Sequence, residues 1–156
     1  MRTFRHCTAL FVLIPAFGCQ AGGPEADRPV EHQVYQMSDA PNLPFSTAVR
    51  AGDLLFLSGQ IGNVPGTLDL VEGGTGPQTR QTLANIRSAV EYAGSSMDRI
   101  VKCTVFLLNI EDYAEMNAVY SEVFGDRPPA RSTLAGSGLA VGAAVEIECI
   151  ALAGTT

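Results

Sequence analysis

Positive charge is scarce in this chain. The sequence has 10 Lys and Arg against 16 Asp and Glu, a formal net charge of −6. Lys102 is its single lysine. An acidic surface repels phosphate backbones, which argues against nucleic acid as a partner. A lone lysine leading into an apolar strand leaves Schiff-base chemistry without a candidate. The two histidines are His6 and His32. With no CxxC, no HExxH and no His cluster, the residues offer no zinc site. No Gly-rich phosphate loop or dinucleotide fingerprint precedes a helix. The sequence therefore implies neither a metal nor a cofactor.

What is present begins with an address. Arg2, Arg5 and His6 form a basic start, Ala9 to Ile14 a short apolar core, and Ala16-Phe17-Gly18-Cys19 a small-residue cleavage site. The apolar run is shorter than the roughly 20 residues a spanning helix needs. Residues 1–18 are expected to be a signal peptide, with the protein exported. A cysteine directly after Gly18 resembles a bacterial lipobox, which would make Cys19 the acylated first residue of a periplasmic or outer-membrane lipoprotein facing the periplasm. Ala16 stands where a lipobox more often has Leu, so plain secretory cleavage stays open. Residues 19–33 carry tandem Gly, two Pro and three acids with almost no apolar content, the composition of a flexible tether. Loss of Arg2 and Arg5 with the signal moves the net charge from −6 to −8.

Residues 34–156 are left for one globular domain, in keeping with 156 residues of which 46% are hydrophobic and 17% charged. Phe45–Val49 and Leu54–Gln60 read as paired strands around an Arg50-Ala51-Gly52-Asp53 turn. A Gly-, Pro- and Thr-rich loop leads to a helix with Pro77 at its first position. Leu83, Ile86, Val90 and Ala93 recur at helical spacing, and Gly94 is the stop. Ile100–Leu108 reads as a buried strand. A second helix is predicted from about Ile110, capped by Asn109, with Tyr113, Met116, Tyr120 and Phe124 as its apolar stripe. Asn117 interrupts that stripe as either a satisfied core amide or a site residue. The order is ββαββαββ-like, an α+β domain with helices on one side of a mixed sheet. Cys103 and Cys149 each fall within a strand. An exported pair can form a disulfide, but two buried thiols acting as small apolar residues is the reading favoured here.

The segment from Pro129 to Leu152 carries the chemistry. In its second strand Val145, Ile147, Cys149 and Ala151 share one face, and Glu146, Glu148, Ile150 and Leu152 the other. Its first strand carries Arg131. Partly buried carboxylates and a partly buried guanidinium need each other, water or an anionic ligand. A structural Arg–Glu pair is the plainest expectation.

The motifs LFLSGQIG at 55–62, TRQTLANIRSAVEYAG at 79–94, IVKCTVFLLNIEDYAEMNAVYSEVF at 100–124, PARS at 129–132 and VEIECIAL at 145–152 occur in one order. In that order they resemble the Rid (YjgF) family of reactive-intermediate deaminases, from about Val34 to Leu152. The resemblance implies a chorismate-mutase-like fold, a mixed sheet with two helices packed on one face, assembled as a homotrimer with clefts between subunits. It implies hydrolysis of small 2-imino acids, in equilibrium with 2-enamino acids, to 2-oxo acids and ammonia. Arg131 falls on the position that holds the substrate carboxylate, suited by its planar fork. Glu146 falls on the position of the base that activates water. Ser58 and Gly59 match the pocket floor, and Asn117 and Thr133 match positions near the pocket. Phe45 stands where the family has a tyrosine, losing a hydroxyl, and Thr133 where it often has Cys. Glu148 is expected to be a structural companion to Glu146. The alternative function is a non-catalytic envelope protein that binds small carboxylates in the same pocket.

Overall fold

The computed structural model describes residues 32–38 and 43–154. The signal segment, Cys19 and nearly all of the expected tether lie outside the described residues. Six strands and two helices follow one another as β1 (His32–Tyr35), β2 (Ala48–Ala51), β3 (Leu54–Ile61), α1 (Thr75–Tyr92), β4 (Ile100–Leu107), α2 (Tyr113–Phe124), β5 (Ala130–Ala135) and β6 (Val145–Leu152). The sheet order is β1-β2-β3-β6-β4-β5. Only β4 and β5 run parallel, joined through α2, while the other neighbours are antiparallel. The mixed sheet with helices on one face is as expected.

Strand alternation builds the core. Val145, Ile147, Cys149 and Ala151 of β6 are buried with Cys103, Val105 and Leu107 of β4 and Leu55 and Leu57 of β3. Leu83, Ile86 and Val90 of α1 and Met116, Val119 and Tyr120 of α2 cover them in one cluster. Alternate positions turn to the uncovered face, where Leu54, Phe56, Leu134 and Leu152 stay exposed.

Several details depart from the sequence reading. Three strands, rather than two, precede α1, and a single strand separates the helices. Strand β1 begins at His32, inside the stretch read as tether. Strand β2 starts at Ala48 rather than Phe45. The Thr47 side-chain oxygen instead accepts the Met37 N–H at 3.1 Å, and the Thr47 carbonyl accepts the Ser58 N–H. Arg50 and Ala51 belong to the strand, and the reversal is left to Gly52-Asp53, with Gly52 at a φ of 59°. Helix α1 begins two residues before Pro77, which still lies in the first turn, where no N–H is needed. Gly94 ends it at a φ of 78°.

The start of α2 differs for a physical reason. Ile110–Asp112 forms a 3-10 turn, and Asn109 makes no side-chain capping bond. Two acids at this end serve the other helix. Asp112 Oδ2 accepts from the Thr75 hydroxyl at 2.9 Å, and Glu115 Oε1 from the Gly76 N–H at 2.8 Å. These bonds satisfy donors at the start of α1. The cysteine reading is also corrected. Cys103 and Cys149 stand directly opposite each other in the β4–β6 register, with Cα atoms 4.1 Å apart, and form a disulfide. Both are small and apolar enough to sit in the core, so burial alone could not distinguish thiols from a bond.

Candidate functional site

Strand β3 bulges between Leu57 and Gln60, where three steps along it match two along β6. The extra residue falls at Ser58-Gly59 and brings this stretch against Glu146. A Cβ at position 59 would overlap the Glu146 carboxylate, lying 3.0 Å from its carboxyl carbon. Glycine is therefore needed so that the carboxylate can rest on the backbone. The Ser58 hydroxyl donates to the Ser46 carbonyl at 2.7 Å, which ties down the segment that carries Phe45.

Glu146, Gly59 and Phe45 share a cavity of about 370 Å³, also walled by Met37, Leu68 and Val141. Among the described residues, Glu146 is the only ionisable group in its lining. Burial raises the Glu146 pKa above the ordinary carboxylate value, and the neighbouring charge of Glu148 raises it further. Glu148 itself is exposed on the same strand face. A carboxylate with a raised pKa is a stronger proton acceptor than a free glutamate.

Arg131 builds a separate constellation. In the parallel register it lies beside Cys103, which places it on the helix-covered face. Its guanidinium carbon sits 4.6 Å from the Tyr120 ring centroid and 5.5 Å from that of Tyr113. It donates to the Tyr113 hydroxyl at 3.0 Å and approaches the Met116 sulfur at 3.9 Å. No carboxylate pairs with it among the described residues. The buried hydroxyls of Thr133 and Tyr120 have no hydrogen-bond partner among the described residues. Burial pushes the Tyr120 phenol up to about 12, with Arg131 opposing, so it stays a neutral donor at physiological pH. A fixed cation beside unpartnered hydroxyls suits an anion.

These two groups do not meet within one chain. Glu146 registers with Phe106, and Phe106 with Leu134, three residues from Arg131. Two strand spacings and three residues amount to roughly 14 Å, and the two side chains leave opposite faces. The expected Arg–Glu pair is thereby overturned. Ser58 precedes Gly59 in the bulge without lining the cavity, Asn117 is half-buried on α2, and Thr133 shares the face of Arg131. Sequence reasoning missed Tyr113 and Tyr120 as companions of Arg131. Their place on the α2 stripe gave a signal, but it read as core.

A family model described as endoribonuclease L-PSP matches residues 37–153. A RutC family protein from Pyrococcus horikoshii is 44% identical over 108 residues, 69% of this chain and 86% of that protein. The crystal structure of YyfA, a Rid-family protein of unknown function from Yersinia pestis, superposes with a TM-score of 0.73 at 42% identity. The match covers 78% of this chain and 99% of that one. TdcF of E. coli, solved with bound serine, superposes with a TM-score of 0.69 at 31% identity over 77% of this chain and 98% of that one.

Proposed function

The chain belongs to the endoribonuclease L-PSP family, the group that includes the Rid proteins, and on that footing we propose that it hydrolyses 2-imino acids to 2-oxo acids and ammonia. One observation carries the proposal. Among the described residues Glu146 is the only ionisable group lining the cavity, with its proton affinity raised by partial burial.

In the proposed reaction Arg131 holds the substrate carboxylate and Glu146 takes a proton from water. The water oxygen bonds to C2 as the C=N π pair moves onto nitrogen. Glu146 returns that proton to the nitrogen, then takes the C2–OH proton and passes it on to the same nitrogen, so that the C–N bond breaks with ammonia as the leaving group and C2–O becomes the carbonyl. Water supplies the oxygen, ammonia leaves, and no oxidant or cofactor enters the balance.

Arg131 and Glu146 can act on one molecule only if two copies of the chain face each other. A homotrimer with clefts between subunits provides such pairing, and the proposal includes it. An RNA-cleaving role fits poorly with a net charge of −6 and a site without histidine. The proposal also includes export and lipid attachment at Cys19, supported by the signal-like start of the sequence and by a disulfide of the kind that persists in oxidising compartments.

Phe45, which brings a ring but no hydroxyl to the cavity, favours a second reading, a carboxylate-binding protein without turnover. An assay with an amino-acid oxidase generating imines in situ separates the two. Faster release of 2-oxo acid than in buffer is expected. Carboxylate binding by calorimetry with no acceleration for any amino acid would select the binding protein.

A further inference from the structure

Resting on the imine-hydrolase reading above, we propose that this site selects 2-imino acids with a large apolar side chain, such as those formed from leucine or methionine, over those formed from alanine or aspartate. The walls of the Glu146 cavity are the first reason. Leu43, Phe45, Leu68 and Val141 line it, and all four are exposed in the chain, with Val141 at 55% and Phe45 at 51%. Apolar surface left open around a cavity gains most from an apolar occupant.

The polar lining is the second reason, because most of it, the Gln36 side chain and the Thr47 hydroxyl proton apart, is already engaged. The Asn85 amide nitrogen donates to the Ile61 and Asn63 carbonyls, and its oxygen accepts from Gln81. Asn63 donates to the Thr67 carbonyl, Gln60 to the Ser58 carbonyl, and the Ser88 hydroxyl to the Ala84 carbonyl. Little donor capacity is left for a hydroxylated side chain. A second carboxylate would meet Glu146 with no cation among the described lining residues to offset it, Arg131 of the facing copy being taken by the first.

Val141 is the third reason. It is the one non-glycine among the described residues with a positive φ, 49° with ψ 21°. A β-branched residue in the left-handed region is strained, whereas the adjoining Gly142, at a φ of 78°, takes its own positive φ freely. The chain keeps a valine there, with its side chain on the cavity. A strained apolar residue at a site points to a contact that the backbone alone does not require.

The test measures kcat/KM for imines generated from leucine, methionine, alanine and aspartate. The leucine-derived imine should exceed the alanine-derived one by at least about tenfold. Val141→Gly should lower that ratio several-fold without lowering the Tm, because it relieves the backbone. A flat panel, or a preference for alanine or aspartate, overturns this inference and leaves the hydrolase reading intact. If no imine is turned over, the hydrolase reading falls. Titration with 4-methyl-2-oxopentanoate and pyruvate then decides the inference. Tighter binding of the former by about tenfold supports it, and equal or absent binding overturns it.

Discussion

The Glu146 carboxylate rests on the backbone of Gly59, in space that a single methyl group would fill. Gly59→Ala should therefore push the carboxylate aside while the strands stay paired. A drop of about 10²-fold in imine turnover is expected, since small displacements of a reacting group cost on that order. Circular dichroism should be unchanged. Full activity in Gly59→Ala would show that the base does not need this seat.

Glu146→Gln is nearly isosteric and removes only the proton acceptor. Turnover should fall by roughly 10²- to 10⁴-fold while carboxylate binding persists. Glu148→Gln should cost far less. Loss of equal size in both variants would mean that the base is misassigned.

The pH profile gives an independent reading of the same pair. Glu146 acts as a base only when ionised, so kcat/KM should fall as pH drops through a midpoint above the ordinary glutamate value of about 4.3. Glu148→Gln removes the repulsive contribution and should move that midpoint down. Stability follows the opposite limb. A carboxyl raised in the folded state contributes stability that is fully present below its unfolded pKa and lost as pH rises through the folded one. Glu146→Gln should accordingly raise the Tm near pH 8 and leave it unchanged near pH 4, as thermal melts at both values would show.

Arg131 stacks on Tyr120 and donates to Tyr113, so its fork is already oriented. Arg131→Lys keeps the charge and loses the planar geometry, and should weaken capture of a 2-oxo acid in calorimetry. Arg131→Ala should be worse, by about 10- to 100-fold. Tyr113→Phe removes one acceptor and should cost less than either. Binding that survives Arg131→Ala would remove the carboxylate clamp.

The Cys103–Cys149 bond spans a sequence separation of 46 residues. Opening it with reductant, or by paired substitution to Ala, should lower unfolding stability by about 2–4 kcal/mol through the freed unfolded chain. Denaturant melts with and without reductant measure this. Equal midpoints would show that the bond does not hold the sheet. Intact mass of membrane-extracted protein should also show cleavage before Cys19 and a large hydrophobic adduct, whereas an unmodified soluble form would refute the anchor.

The sequence made some of this legible and left the rest hidden. The alternation Val145-Ile147-Cys149-Ala151 and the spacing Leu83-Ile86-Val90 predicted buried faces because periodicity is a local property of the chain. The opposition of Arg131 and Glu146 was not local. Their faces follow from how β5 registers on β4 and β4 on β6, and no spacing along the chain encodes that. The partners of Asp112 and Glu115 were hidden for a related reason. An acid beside a helix start reads as that helix's own complement, yet here the nearest open donors belong to α1.

Those two acids have a mechanical consequence. Helix α2 carries the aromatic rings that grip Arg131, and α1 supplies Asn85 and Ser88 to the cavity that holds Glu146. The bonds from Thr75 to Asp112 and from Gly76 to Glu115 rivet one to the other at their starts. Through these bonds a displacement on the anion-holding side would carry to the proton-accepting side. In an assembly where each subunit lends its guanidinium to one neighbour and its carboxylate to another, occupancy of one cleft would be felt at the next through that rivet.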